Sequence, residues 1–197
     1  MSLKEKYEYI IDQLANNDFA IVDGLFDSAV LTKLKDELLN KEQKNKLTRA
    51  KIGSSKNNIL NNSVRSDEIL WIENDSDIEC ERRYFLAVET LYNYLNEACY
   101  TGISDFEFHY SHYAKGAFYK VHIDRFKNDS SRKFSLITYL NESWKDGDGG
   151  ELKLHFDTSS KLIEPLFGRT IIFKSHLISH EVLKSNTNRY SITGWMK

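Results

Sequence analysis

An α+β fold, with helices leading into a strand-rich half closed as a barrel or sandwich, is predicted by three features of the chain. Helical apolar stripes fill the first hundred residues, the periodicity changes to two after Gly102, and Gly-rich turn signals then separate short strands. The first stripe is Tyr7, Ile10, Ile11 and Leu14. Phe19 to Phe26 (FAIVDGLF) reads as a short apolar strand ending in a turn. Asp27 is placed to cap the helix that follows, whose buried face carries Val30, Leu31, Leu34 and Leu38. From Lys41 to Asp67 the chain is rich in Lys, Asn and Ser, which predicts a long polar loop. A third helix repeats Tyr84, Val88, Leu91 and Leu95, with Phe85 and Tyr92 widening its stripe.

After Gly102, Phe106, Phe108 and Tyr110 alternate with Glu107, His109 and Ser111, as a half-buried strand would. Further strands are expected at Phe118 to Ile123, Lys133 to Leu140, Glu151 to Phe156, Arg169 to Phe173, His180 to Leu183 and Arg189 to Trp195. Asp146 to Gly150 (DGDGG) forms a turn between two of them. No internal repeat or linker divides the 197 residues, so one domain is expected over 1–197, with helical support over 1–100 and the strand core over 103–197.

A formal charge of −2 gives no global signal for nucleic acid, and no apolar run is long enough to span a bilayer. The N-terminus (MSLKEKYEYI) lacks the apolar stretch of a signal peptide. Two cysteines, Cys80 and Cys99, make neither a disulfide framework nor a metal-knuckle pattern, so a reduced cytoplasmic setting is expected.

The chemistry concentrates in His122-Ile123-Asp124. Residues two apart on a strand face the same way, so an imidazole and a carboxylate point together. A second imidazole from a distant strand would complete a ligand set that leaves positions open and suits non-haem Fe(II). His180 is favoured for that place over His109, His112, His155 and His176, because it shares a strand face with Val182. Arg189, Ser191, Thr193 and Trp195 share a face of the last strand. An arginine pointing inward there needs an anion to offset its burial, as a dicarboxylate co-substrate would supply.

Over roughly residues 60 to 196 the chain resembles the prolyl hydroxylase branch of the Fe(II)/2-oxoglutarate-dependent dioxygenases. The likeness is closest to the oxygen-sensing type and its bacterial relatives. The motifs are Tyr113-x-x-Gly116-x-x-Tyr119-x-x-His122-x-Asp124, Tyr139-Leu140-Asn141, Gly149-Gly150-x-Leu152, His180-Glu181-Val182 and Arg189-Tyr190 with Trp195, preceded by Arg65-Ser66-Asp67 and Trp71-Ile72. The resemblance implies a double-stranded β-helix (jelly-roll) core and iron ligands His122, Asp124 and His180. It further implies that Arg189 and Tyr139 hold the distal carboxylate of 2-oxoglutarate, that Tyr113 and Thr193 line its pocket, and that Ile137, Leu152 and Val182 form apolar walls. Trp195, Arg65 and Asp67 would stand on the substrate side. Two departures stand out: the spacing from Tyr113 to His122 is one residue shorter than in the animal oxygen sensors, and Ser66 occupies a position where those enzymes commonly have glycine.

The implied cofactors are Fe(II), 2-oxoglutarate and O2, with ascorbate as a candidate reductant. The implied reaction is hydroxylation of a prolyl residue in a protein or peptide, releasing succinate and carbon dioxide. Free proline or another small molecule is the alternative substrate, and a non-catalytic metal-binding jelly-roll sensor the alternative class. The stretch from 48 to 67, with Arg49, Lys51, Gly53, Lys56 and Arg65 and few apolar anchors, is expected to act as a lid hinged near Asp67. No oligomeric state is implied.

Overall fold

The computed structural model describes residues 1–52, 59–125 and 131–197. Helix α1 (Leu3–Asn17) starts from a reciprocal capping box between Ser2 and Glu5 and buries Tyr7, Ile10 and Leu14. Strand β1 (Phe19–Asp23) stops short of Phe26 because Gly24, at φ 64°, turns the chain. Asp27 then caps α2 (Ser28–Gln43) by accepting the Ala29 amide hydrogen, and Val30, Leu31, Leu34 and Leu38 are buried as expected. Helix α3 (Glu79–Cys99) buries Tyr84, Phe85, Val88, Leu91 and Leu95. Among the described residues, no helix is long and apolar enough to cross a membrane.

The described residues of the polar stretch are more ordered than its composition predicts. Helix α2 runs on to Gln43, and β2 (Thr48–Arg49) pairs with β3 (Glu68–Ile72), Thr48 opposite Ile69 and Arg49 opposite Glu68. A further bridge joins Ile52 to Ile59. Pairing uses main-chain groups, so polar side chains at a sheet edge do not oppose it. Gly53 and Lys56 lie outside the described residues. Asp67, the expected hinge, is only 1% exposed.

The remaining strands are β4 (Phe106–Tyr113), β5 (Tyr119–His122), β6 (Phe134–Tyr139), β7 (Leu152–His155), β8 (Ser160–Ile163), β9 (Arg169–Lys174), β10 (Ser179–Val182) and β11 (Arg189–Met196). They build two antiparallel sheets, β1-β9-β6-β11-β4-β3-β2 and β5-β10-β7-β8, the jelly-roll arrangement. Strand β8 was not expected: three of its four residues are exposed, so no alternation marks it.

Strand β4 corrects the half-buried reading, since nearly every residue in it is buried. Phe106, Phe108 and Tyr110 pack into the core shared with the helices, while His109 and Tyr113 line the cavity on the other face. Strand β6 likewise gives Leu136 to the helical core and Ile137 and Tyr139 to the core between the sheets. A Cβ at Gly194 would come 2.2 Å from Phe108 Cδ1, so only glycine lets β11 lie over that ring. The larger sheet therefore has helices behind it and the functional cavity in front.

Candidate active site

In the smaller sheet β5 and β10 pair with His122 directly opposite His180, which brings the ring centroids to 4.2 Å. Strand β5 ends at His122, so simple alternation does not by itself position Asp124. Ser135 of β6 does so, donating its hydroxyl to Asp124 Oδ2 at 2.6 Å, with Ser175 Oγ 2.9 Å from Ser135 Oγ. Asp124 Oδ1 lies 3.5 Å from His122 Nε2, and Oδ2 lies 3.6 Å from His180 Nε2. One ligand atom from each residue falls within 4.8 Å of the other two, the one such cluster among the described residues.

The second ring nitrogens face carbonyls, His122 Nδ1 at 2.8 Å from Lys120 O and His180 Nδ1 at 3.1 Å from Ile178 O. A carbonyl only accepts, so each Nδ1 carries the hydrogen and each Nε2 keeps a lone pair for a metal. Burial alone would raise the Asp124 pKa. The neighbouring His180 and His122, with the hydrogen bond from Ser135, outweigh it and hold the carboxyl well below the usual range. Burial, against the attraction of Asp124, pushes His180 down to about 4. An ionised carboxylate beside a neutral imidazole is the state a cation requires. Of the competing histidines, His109 lines the same cavity but is not in the cluster, while His112 stacks on Tyr190, His155 pairs with Glu181 at 3.0 Å, and His176 is exposed.

The cavity in front of this cluster is about 670 Å³. At its closed end Arg189 is 2% exposed and forms no ion pair among the described residues. Its Nε donates to Gly150 O at 2.8 Å and its Nη1 to Ser191 Oγ at 3.3 Å. The guanidinium stands 4.8 Å from the Tyr113 ring and 5.0 Å from the Tyr139 ring. Tyr139 is fully buried and its hydroxyl has no hydrogen-bond partner among the described residues. A buried cation beside an orphaned hydroxyl is a site shaped for an anion. Ile137, Leu152 and Val182 wall it, and Thr193 Oγ1 reaches Ser191 Oγ at 3.4 Å. The turn residue Gly150 sits at φ 76°, where a Cβ would come 3.0 Å from Arg189 Cδ.

At the mouth, Arg65 makes a bidentate bridge to Asp67 at 2.8 and 2.6 Å and lies 4.1 Å over the Tyr119 ring, which stacks on His122. Arg65 lines the cavity, whereas Asp67 is buried behind it as its partner rather than facing substrate. Trp195 lies under Arg132, 3.5 Å from the ring centroid, and Arg132 grips Glu107 Oε1 at 3.0 and 2.7 Å. Sequence reasoning singled out neither Arg132 nor Glu107 and set His109 aside. Glu107 and His109 become neighbours of the site only through cross-strand register, opposite Trp195 and Thr193.

The 2OG-Fe(II) oxygenase superfamily model matches residues 108–197. A prolyl-4-hydroxylase from Pseudomonas putida is similar over 97% of this chain and 98% of its own, at 30% identity and a TM-score of 0.87. This chain belongs to the 2OG-Fe(II) oxygenase superfamily. The oxygenase is also similar, at 26% identity and a TM-score of 0.90, to a prolyl hydroxylase from Trichoplax adhaerens solved with a peptide of hypoxia inducible factor, over 98% of this chain and 90% of that one. A viral collagen prolyl hydroxylase from Paramecium Bursaria Chlorella virus-1 shares the fold at 20% identity, with a TM-score of 0.63 over 92% and 96% of the two chains. The oxygenase requires Fe(II), 2-oxoglutarate and O2. Its two-histidine, one-carboxylate cluster and its buried Arg189, without an ion pair among the described residues, fit the metal and the dicarboxylate respectively.

Proposed function

We propose that this oxygenase hydroxylates a prolyl residue within a protein or peptide, releasing succinate and carbon dioxide. The observation that carries the reading is the cluster of His122, Asp124 and His180 sharing one cavity with Arg189, a buried cation with no anionic partner among the described residues. The likeness to the Pseudomonas and Trichoplax enzymes supports proline as the target, and the peptide bound to the latter supports a polypeptide substrate.

In this reading His122, Asp124 and His180 hold Fe(II), which, with 2-oxoglutarate and O2, supplies the oxidising power. Arg189 offers its remaining N–H groups to the distal carboxylate, and the Tyr139 hydroxyl donates to the same group. Tyr113 and Thr193 line that end. Ile137, Leu152 and Val182 exclude water, which strengthens the charge pairing. Trp195 and Arg65, the latter held by Asp67, border the substrate entrance. Residues 1–197 act as one domain, working in the cytoplasm, where the unpaired Cys80 and Cys99 stay reduced.

The test is peptide mass spectrometry of cell extract incubated with the protein, iron and 2-oxoglutarate. Proline-containing peptides should gain one oxygen, and the His122→Ala, Asp124→Ala double variant should lose both this product and stoichiometric iron. Iron binding retained by the double variant would sink the ligand assignment.

A further inference from the structure

The wall between the metal cluster and the mouth holds a polar atom that the reading above leaves unused. Cross-strand register lines up Trp71, His109, Thr193, Ile137 and Ile171 in one row across the inner face of the larger sheet. His109 is 3% exposed, with its ring edge-on to Trp71 at 5.0 Å and 5.6 Å from Trp195. Its Nδ1 faces Tyr110 O at 3.2 Å and Ser111 Oγ at 3.0 Å. With the Ser111 hydroxyl donating to Thr193 Oγ1 at 3.5 Å and the carbonyl able only to accept, Nδ1 carries the hydrogen and Nε2 is left as an acceptor. The hydrogen bonds of the ring among the described residues all fall on Nδ1, none on Nε2, and the ring lines the cavity. Burial, reinforced by the charges of Arg65 and Arg132, pushes the imidazole down to about 4, so it stays neutral. The neighbouring charged groups are already matched, Arg65 with Asp67 and Arg132 and Lys197 with Glu107. His109 Nε2 is thus an uncommitted acceptor held between two indole rings, one of them 46% exposed at the mouth.

We propose that His109 is a specificity-determining residue whose Nε2 accepts a backbone N–H of the substrate polypeptide beside the reacting proline. Proline has no N–H within a chain, so the donor belongs to a neighbouring residue, and Trp71 and Trp195 flank it. This rests on the peptide reading above.

The experiment uses a proline peptide that the wild-type enzyme oxygenates, and a series of the same peptide with one backbone N-methyl group at each position flanking the proline. One N-methyl position should raise KM by about tenfold with kcat within about threefold, the loss of a hydrogen bond to a buried acceptor. His109→Met, which keeps the bulk and removes the acceptor, should raise KM for the parent peptide similarly and abolish the N-methyl penalty at that position. His109→Gln, which restores an acceptor, should recover part of it. An N-methyl penalty of equal size in wild type and His109→Met, or a wild-type KM in that variant, overturns the inference alone. Oxygenation of free proline with none of the peptides overturns the peptide reading, and this inference with it.

Discussion

The two ends of the cavity treat arginine in opposite ways. At the closed end Arg189 is buried, and its hydrogen-bond partners among the described residues are neutral, a carbonyl and a hydroxyl. At the mouth Arg65 and Arg132 each hold a carboxylate by two hydrogen bonds and lay a guanidinium face on an aromatic ring. The first arrangement leaves positive charge for an incoming anion. The second neutralises the charge and leaves flat surfaces that suit stacking on a polypeptide rather than capture of a charged group. Burial tells an arginine that waits for a ligand from one that shapes a wall only when the partner's charge is considered with it.

Removing the waiting charge should have the largest effect. Arg189→Ala is expected to raise the 2-oxoglutarate requirement by ~10²–10⁴-fold, since losing one partner of a desolvated ion pair costs about 3–5 kcal/mol. Arg189→Lys should be intermediate, keeping the charge and losing the fork. Steady-state succinate assays check both, and equal requirements in all three enzymes would place the anchor elsewhere.

The contrast can also be erased from within. Ser191→Asp sets a carboxylate beside Arg189 Nη1, now 3.3 Å from the serine hydroxyl. The closed end would then resemble the mouth, and the 2-oxoglutarate requirement should rise by about two orders of magnitude, because the incoming anion must displace a resident one. Isothermal titration with 2-oxoglutarate reads this directly.

Between the ends lies the neutral His109. Its pKa in the fold, about 4, is below the usual 6.5. The unfolded chain therefore binds a proton first as pH falls, so stability is fully present above about pH 6.5 and declines toward pH 4. Going from pH 7 to pH 5 should cost on the order of 2 kcal/mol through this group. Urea titrations of wild type and His109→Gln at the two pH values should differ by that amount, and parallel losses would assign the acid sensitivity to other groups.

The smallest effect is expected at the mouth. Glu107→Gln keeps an acceptor for Arg132 and removes its counter-charge on a partly exposed surface, where such pairs contribute about 1 kcal/mol or less. KM for a peptide should shift by roughly threefold or less, and the 2-oxoglutarate requirement should stay as it was, if the two ends are independent.

What was legible in the sequence followed from local pattern. The stripes of α1, α2 and α3, the alternation of β4 and the inward set Arg189, Ser191, Thr193 and Trp195 each concern residues within one element. That His122 and His180 meet at one site was anticipated from the faces of their strands, whereas their position directly opposite each other was not. Features that depend on a partner strand were less legible. Strand β8 keeps its side chains in solvent, and β2 is two polar residues whose order comes from the backbone of β3. His109 looked like an ordinary polar-face residue because the row that carries it from Trp71 to Thr193 exists only once three strands are in register. Arg132 gave no local signal either, since Glu107 is remote in sequence.

The Ser135 hydroxyl that holds Asp124 has a consequence for the life of the chain in the cell. His122 and His180 belong to the smaller sheet, whereas Asp124 is tied through Ser135 and Ser175 to the larger one. An ion shared by the three would therefore be a clasp between the sheets, and part of its binding free energy would go into keeping the sandwich shut. Iron starvation would leave a chain that is not only idle but looser along one seam, and so cut sooner by proteases. Limited proteolysis with and without the metal would show whether iron supply sets the abundance of this enzyme as well as its turnover.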